Sequence, residues 1–96
     1  MSQLDFSPAA LEDIEGIWDY TAHTWGLDQA ERYTENIWDA CLALSTGRQR
    51  GRAAFDIREG YFKYPIGRHF IFFVEKTDGI SVIRILHQRM DLERHL

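Results

Sequence analysis

Hydrophobic residues recur in this chain at two different spacings, which divide it into a helical first half and a strand-rich second half. Between Pro8 and Gly26 the apolar positions lie three and four residues apart, as on one face of a helix. These positions are Leu11, Ile14, Trp18, Ala22 and Trp25. Ser7 followed by Pro8 predicts the start of this helix, because serine is a preferred N-cap and proline fits the first helical position. Gly26 predicts its end.

A second amphipathic helix is predicted from Asp28. The Asp28 carboxylate can cap the free amides of the first turn, while Glu31, three residues later, can reach back in a capping box. The buried face of this helix is predicted to comprise Ala30, Tyr33, Ile37, Cys41 and Leu44. Because only Gly26 and Leu27 connect the two helices, they are expected to form an antiparallel hairpin.

Alternating and continuous apolar runs predict strands before and after these helices. A short strand covers residues 4–6, and three more cover 60–64, 68–76 and 80–87, with turns at 65–67 and 77–79. The order is β-α-α-β-β-β, and a chain of 96 residues is expected to form a single domain, residues 1–96. We therefore predict an α+β fold in which the antiparallel helix hairpin packs on a mostly antiparallel twisted sheet.

The middle strand of this sheet is apolar without interruption from Phe70 to Val74, which indicates burial on both faces. The helix hairpin can cover one face. The other face must be shielded by loops, by the C-terminal tail or by another protein, since the chain has no further long helix. We expect a partner protein to cover it.

Charge is distributed unevenly along the chain, whose formal net charge is -4. Residues 1–46 contain nine acids and one base, whereas residues 47–96 contain ten bases and six acids. The segment 45–53 has neither helical nor alternating periodicity and holds Arg48, Arg50 and Arg52, so it is predicted to be a mobile basic loop. An anionic partner is expected to approach the second half of the molecule.

The composition disfavours several functional classes. The single cysteine, Cys41, permits neither an internal disulfide nor a cysteine metal site, which fits a reducing cytoplasm. No apolar run approaches the ~18 residues of a membrane span, so no membrane association is expected. The sequence contains no phosphate-binding glycine loop, His-Glu-x-x-His zinc motif or nucleophile elbow. We therefore predict no metal, no cofactor and no conventional catalytic site.

The last predicted strand carries a charged residue among apolar neighbours. Simple alternation puts Val82, Arg84 and Leu86 on one face and Ile83 and Ile85 on the other. Arg84 must then find a carboxylate, carbonyl groups or solvent, because an unpaired charge in a low-dielectric interior is costly. An internal salt bridge and a functional role are both compatible with this pattern.

Cationic residues gather at the predicted strand ends and turns. They are Arg58, Lys63, Arg68 and Arg89, together with His69 and His87. If they converge on one rim they form a binding surface, and if they are scattered they are ordinary solvated charges. His87, Arg89 and Asp91 are close enough in sequence to form a hydrogen-bonded cluster, although Asp91 is equally suited to cap a terminal helical turn.

The three tryptophans are explained more readily by core packing than by base stacking. Trp18 and Trp25 lie on the apolar face of the first helix. Trp38 lies beside the apolar face of the second helix and is expected to mark a partner groove, because aromatic anchors are common in interfaces.

Several short motifs follow one another in a distinctive order along nearly the whole chain. They are Ser-Pro-Ala-Ala-Leu-Glu-Asp-Ile at 7–14, Ile-Trp-Asp-Tyr at 17–20, Trp25-Gly26, Tyr33, Gly60-Tyr61, Gly-Arg-His-Phe-Ile-Phe-Phe at 67–73, Ile-Arg-Ile-Leu-His-Gln-Arg-Met-Asp at 83–91 and Arg94-His95-Leu96. Each motif alone is common, but their combination is specific. In this combination the chain resembles ParE-type toxins of the ParE/RelE superfamily.

The resemblance implies the toxin of a type II toxin-antitoxin system, which binds DNA gyrase, stalls it on cleaved DNA and blocks replication without being an enzyme. It also implies a hetero-oligomer with a neutralising ParD-like antitoxin, and contact with DNA only through gyrase or the antitoxin. The candidates for target binding are Arg58, Lys63, Arg68, His87 and Arg89. The candidates for antitoxin binding, along the uncovered sheet and its edge, are Trp38, Phe72, Val82, Arg84 and Leu86.

A RelE-like ribosome-dependent mRNA endonuclease is the alternative within the same superfamily. Its chemistry needs cations for the phosphorane charge and a general base for the ribose 2′-hydroxyl. His69, Arg89 and His95 would serve here, although the tail from Met90 to Leu96 lacks the aromatic tyrosine of RelE. A non-toxic adaptor is a third possibility.

The basic loop departs from the ParE-like pattern of proline and few charges, and its partner is left open between DNA phosphates, another target and an acidic antitoxin segment.

Overall fold

The computed structural model describes residues 3–90 and 92–96, and its helices and strands follow the predicted α+β order. The elements are β1 (Gln3–Phe6), α1 (Pro8–Trp25), α2 (Leu27–Thr46), β2 (Arg52–Ala53), β3 (Tyr61–Ile66), β4 (His69–Lys76), β5 (Gly79–His87) and α3 (Leu92–His95). The short strand β2 is an addition to the prediction. Within the described ranges, none of the helices combines the length and apolar character that crossing a membrane requires.

The five strands form one sheet in the order β1-β5-β4-β3-β2. β1 runs parallel to β5, and all other neighbouring strands are antiparallel, so the prediction of a mostly antiparallel sheet is confirmed. β1 pairs only with the first part of β5, from Gly79 to Val82. The remainder of β5 therefore has no strand on that side, and α1 begins beside it.

Helix α1 begins as predicted, with Ser7 as its N-cap. The Ser7 Oγ accepts from the Ala10 N–H at 3.0 Å and donates to the Ile83 carbonyl at 2.6 Å, so one hydroxyl caps the helix and ties it to β5. The predicted buried face, however, is correct only at Ile14. The buried residues are Ala10, Ile14, Ile17 and Thr21. Because α1 packs against both α2 and β5, small and β-branched side chains face inward, while Leu11 and Trp25 are exposed.

Helix α2 begins at Leu27, and the predicted capping box of Asp28 and Glu31 is wrong. Its N-cap is Gly26, at φ 99°, and no side chain caps the helix. The Gly26 N–H donates to a carbonyl in the last turn of α1, and the Gly26 carbonyl accepts from the Ala30 N–H. A single glycine therefore ends one helix and starts the next, which leaves no room for a separate capping turn.

The buried face of α2 follows the prediction more closely. Its buried residues are Ala30, Thr34, Ile37, Ala40, Cys41 and Leu44. They join residues of α1 and the sheet in one hydrophobic core, against which Tyr33 is only partly buried. Tyr33 instead directs its hydroxyl to the turn between β3 and β4.

A bulge in β5 corrects the predicted alternation of its side chains. Phe72 pairs with Arg84, whereas Phe73 pairs with Val82, so Ile83 is an extra residue on this strand. Val82 and Ile85 consequently both face the helices and belong to the core. Arg84 and Leu86 lie on either side of Ile85 in the strand, so alternation places both on the face away from the helices.

The sheet face opposite the helices, here called the outer face, is already covered at its centre. It carries Arg52, Lys63, Phe70, Phe72, Arg84 and Leu86. Phe72 is 0% exposed and Leu86 1% exposed in the isolated chain, so of the three covers considered, the chain's own residues bury them and the expected partner is not required for it. The Phe70 ring packs edge-on against Phe72, and Arg84 Nη1 donates to the His95 carbonyl at 3.2 Å, which brings α3 against this face.

The predicted basic loop is shorter and better anchored than its composition indicates. Helix α2 continues to Thr46, Gly47 closes it in the left-handed conformation at φ 82°, and the Gln49 N–H donates to the Ala43 carbonyl at 3.1 Å. Strand β2 follows at once. The prediction of an irregular, mobile segment from 45 to 53 is therefore wrong at both of its ends.

Candidate functional site

A cleft of about 830 Å³ opens between α1, the start of α2 and the end of the sheet where β4 begins and β5 finishes. Its lining residues are Glu12, Asp13, Gly16, Ile17, Tyr20, Thr21, Trp25, Gln29, Tyr33, Gly67, Arg68, His69, Ile85, Leu86, His87 and Met90. Tyr20 and Trp25 line it with side chains that are 69% and 65% exposed. Large exposed rings beside a cation are typical of surfaces that bind another macromolecule.

Tyr33 and His69 form the polar floor of this cleft. The Tyr33 hydroxyl lies 2.7 Å from His69 Nδ1, donates to the Ile66 carbonyl at 3.2 Å and accepts from the Arg68 N–H at 3.0 Å. This hydroxyl thus joins α2 to the turn between β3 and β4. Burial is the main cause of a raised Tyr33 pKa, so the phenol stays protonated.

His69 is held neutral at physiological pH. Burial lowers its pKa to about 4, and the neighbouring His87, whose ring centroid lies 5.3 Å away, adds to the lowering. Nδ1 of His87 accepts from the Arg89 N–H at 3.1 Å, which fixes the orientation of that ring. The floor of the cleft therefore offers neutral hydrogen-bonding groups, with Arg68 contributing a positive charge.

An ion pair between Asp13, which lines the cleft, and Arg84 ties α1 to β5 beside it. The two Asp13 carboxylate oxygens accept from Arg84 Nε at 2.7 Å and Nη2 at 2.9 Å, and Asp13 Oδ2 also accepts from the Ile85 N–H at 2.9 Å. Hydrogen bonding to Asp13 is the main cause of the raised Arg84 pKa. Of the two alternatives for Arg84, the internal salt bridge is the one observed.

The structure separates the predicted target-binding residues. Arg68 and His87 line the cleft, as does His69. Arg58 stacks over the Tyr61 ring at 6.0 Å, at the opposite end of β3, and Lys63 lies over Phe70 on the outer face. These cations therefore do not converge on one rim.

His69 and Arg89, two of the three residues of the endonuclease alternative, are linked through His87, whose ring packs edge-on against His69 and accepts from the Arg89 N–H. His69 lines the cleft, whereas Arg89 and His95 are not among its lining residues. The described contact of Arg89 in this region is through its backbone N–H, and His95 is held through its carbonyl by Arg84. Asp91, proposed from sequence as a cluster member or a cap, lies outside the described residues.

Sequence patterns do not single out Asp13, Tyr20 or Tyr33 as site residues. Asp13 lies among other acids on α1, and its role depends on reaching an unpaired N–H of β5. The one available signal is complementarity, because an arginine isolated in an apolar strand requires a carboxylate elsewhere. Among the described residues there is no group of three or more His, Cys, Asp or Glu side chains that could hold a metal.

Residues 4–92 match the family described as the ParE toxin of the type II toxin-antitoxin system parDE. The chain belongs to this ParE family. Toxin ParE1 of Mycobacterium tuberculosis is 44% identical over 91 residues, which cover 94% of this chain and 93% of that protein. Toxin ParE1 of Caulobacter vibrioides is 28% identical over 96 residues, which cover 100% and 99%. The chain is accordingly a ParE-type toxin of the type II class.

Solved structures agree with the fold of the ParE family. A chain of the chromosomal ParDE toxin-antitoxin system from P. aeruginosa superposes with a TM-score of 0.77 at 20% identity, covering 91% of this chain and 96% of that one. A chain of the YoeB-YefM complex from Staphylococcus aureus gives 0.58 at 15% identity, with coverage of 92% and 98%. At these identities the likeness concerns the fold alone.

Proposed function

We propose that this ParE-type toxin binds DNA gyrase, stalls it on cleaved DNA and so blocks replication until a ParD-like antitoxin neutralises it. The observation that carries the proposal is the 44% identity to Toxin ParE1 of Mycobacterium tuberculosis across nearly the full length of both chains. Inhibition is by binding, without bond cleavage by the toxin.

The cleft is the proposed contact with gyrase. Tyr20 and Trp25 expose most of their ring area, and Arg68 and His87 lie at the end of the sheet within the same cleft. Aromatic rings and arginine are the residues that most often dominate the binding energy of protein interfaces. Arg58, Lys63 and Arg89 lie outside the cleft and remain untested candidates for the target.

The antitoxin is proposed to bind the helical side at Trp38. Trp38 is 38% exposed and Leu42, one turn later on α2, is 48% exposed, so both present apolar surface to solvent. The Trp38 ring packs edge-on against Phe6 at 4.7 Å, which fixes its position beside β1. Phe72, Val82 and Leu86 are buried and are available only if the chain rearranges.

The geometry favours binding over RNA cleavage. His69 has a lowered pKa and a hydrogen bond to Tyr33, and neither Arg89 nor His95 joins it in lining the cleft. An RNA endonuclease needs its base and its phosphate-binding cations around one phosphodiester. Since only His69 of these three residues lines the cleft, the RelE-like alternative has less support.

The experiment is a gyrase cleavage-complex assay with the purified toxin, supercoiled plasmid and ATP. The toxin is expected to increase gyrase-linked, cleaved DNA. Arg68→Ala is expected to weaken this effect about tenfold or more, as for an interface arginine worth more than 1 kcal/mol. Arg94→Ala is the matched control, because Arg94 is exposed on α3 and is not among the residues that line the cleft.

Primer extension on mRNA from cells expressing the toxin gives the opposing readout. Intact mRNA with accumulated cleavage complexes agrees with the proposal. Ribosome-dependent mRNA cuts that disappear in His95→Ala or Arg89→Ala would support the endonuclease instead. Normal growth with unchanged DNA and mRNA would contradict both toxic activities and support the non-toxic adaptor.

A further inference from the structure

Four cations lie together at the β2 edge of the sheet, away from the cleft. This group, here called the basic edge, consists of Arg48, Arg50, Arg52 and Lys63. The three arginines are exposed, and Lys63 is partly exposed. Arg52 lies directly opposite Lys63 in the antiparallel register, so both side chains belong to the outer face.

The backbone that carries these cations is held in place. A Cβ on Gly51 would lie 2.6 Å from the Phe73 ring and 2.9 Å from the Lys63 carbonyl, which shows how closely the chain lies against the sheet there. After β2, Ala54 is fully buried and its N–H donates to the Tyr61 carbonyl at 2.7 Å. Arg50 and Arg52 are thus presented on either side of a fixed glycine.

Arg52 and Lys63 are like charges that oppose each other across the strand pair, with no described carboxylate between them. Directly opposed like charges destabilise an antiparallel pair. The salt bridges among the described side chains join Lys76 to Asp5 and Arg84 to Asp13, so no described carboxylate pairs with the basic edge. An arrangement of like charges with no described carboxylate partner points to an external anion, since the one described contact of the Lys63 ammonium is with the Phe70 ring.

We infer that the basic edge binds the phosphate backbone of duplex DNA directly, with no contribution from gyrase or an antitoxin. Arginine predominates in the group, and its planar guanidinium matches phosphate geometry. The acids concentrated in residues 1–46 repel DNA from the helical side and orient the sheet side towards it.

Neighbouring groups favour duplex DNA over the other anionic macromolecules. Tyr61 and Phe70, which flank Lys63 on the outer face, are covered by Arg58 and Lys63, so they do not present free rings for stacking single-stranded bases. The groove beside Arg50 is lined mainly by polar groups, which include Ser45, Thr46 and Gln49 and also the carboxylates of Glu75 and Asp78. An acidic protein segment would find few apolar anchor sites there.

The test is fluorescence anisotropy of a labelled duplex of arbitrary sequence titrated with the full-length toxin between about 25 and 200 mM salt. Four phosphate contacts predict a slope of log K against log salt of about -3 to -4. Arg50→Ala with Arg52→Ala should reduce its magnitude by about 2 and weaken binding at low salt about tenfold or more. The conservative pair Arg50→Lys with Arg52→Lys should restore the slope, because the slope counts charges.

The matched control is Arg32→Ala with Arg68→Ala, which removes two positive charges elsewhere and should leave the slope unchanged. Equal losses in both double variants would overturn the inference, as would no binding at the lowest salt by a chain whose circular dichroism is unchanged. Tighter binding of single-stranded RNA, or of a polyglutamate peptide at equal charge, would assign the edge to those ligands instead. Gyrase is absent from this assay, so its outcome is independent of the proposed target.

Discussion

Asp13, Ser7 and Tyr33 perform the same task at different places, since each side chain hydrogen-bonds backbone groups at a strand or turn. Ser7 binds the Ile83 carbonyl, and Asp13 accepts the Ile85 N–H. Both positions lie on the part of β5 that β1 does not reach. The polar residues of α1 therefore satisfy a strand edge that would otherwise be open to pairing with another chain.

Replacing Asp13 tests this role. Asp13→Asn removes the charge that holds Arg84 and is expected to lower the free energy of unfolding by about 2 kcal/mol, as for a hydrogen-bonded charged group. Urea denaturation measures the loss. Glu15→Gln, on an exposed acid of the same helix, is the control and should change stability by less than about 0.5 kcal/mol. Similar values for the two variants would contradict the assigned role.

His69 predicts a pH dependence of stability. Its folded-state pKa is about 4, against 6.5 for a free histidine, so the unfolded chain binds a proton between these values and the folded chain does not. Stability contributed by neutral His69 is therefore present above about pH 6.5 and is lost as the pH falls towards 4. Urea unfolding of the wild type and of His69→Gln at several pH values measures this contribution. If the free energy of unfolding of the two proteins changed in parallel with pH, the assigned role of His69 would be contradicted.

At the scale of elements, turns and the bulge decide which side chains meet. Gly67, in the turn between β3 and β4, has φ 55°, and a Cβ there would lie 2.5 Å from the Tyr33 ring. The bulge at Ile83 places Arg84 opposite Phe72 on the outer face. Neither feature follows from hydrophobic periodicity, although Gly67 itself was correctly placed in a turn.

Two glycine substitutions give opposite predictions. Gly67→Ala is expected to destabilise the protein by at least about 1 kcal/mol, because it combines a left-handed backbone with a clash against Tyr33. Gly16→Ala is expected to stabilise α1 by about 1 kcal/mol, since its Cβ would enter open space. Thermal unfolding of both variants checks the pair. A loss of stability in Gly16→Ala would contradict the open space around this position.

At the scale of the whole molecule, the core between helices and sheet encloses Cys41 completely. Burial raises the pKa of the Cys41 thiol to about 12, so the reactive thiolate is scarce. Labelling by a thiol reagent is expected only through opening of the structure, with a rate that increases as urea lowers stability. Immediate labelling of the native chain would contradict this burial. The control is Ser45→Cys, because Ser45 lies partly exposed at the end of α2. Its thiol should react with the reagent faster than the Cys41 thiol.

The sequence determined the elements and their order, because helix and strand formation depend on local spacing, caps and turn residues. Ser7, Gly26 and the apolar run from Phe70 to Val74 carry this information within a few neighbouring residues. The order of the short motifs along the chain indicated the ParE family in the same way. These local signals explain why the helix hairpin and the antiparallel strands were predicted correctly.

The tertiary structure alone decided the buried face of α1, the cover of the outer face and which charges meet. The buried face of α1, the pairing of Arg84 with Asp13 and the burial of Phe72 each depend on contacts between residues far apart in the chain. Periodicity identifies an apolar stripe but not the surface that will cover it, since packing shape and a single extra residue in β5 change the outcome. Long-range geometry therefore placed the cleft where β4 begins and β5 finishes, and the basic edge along β2.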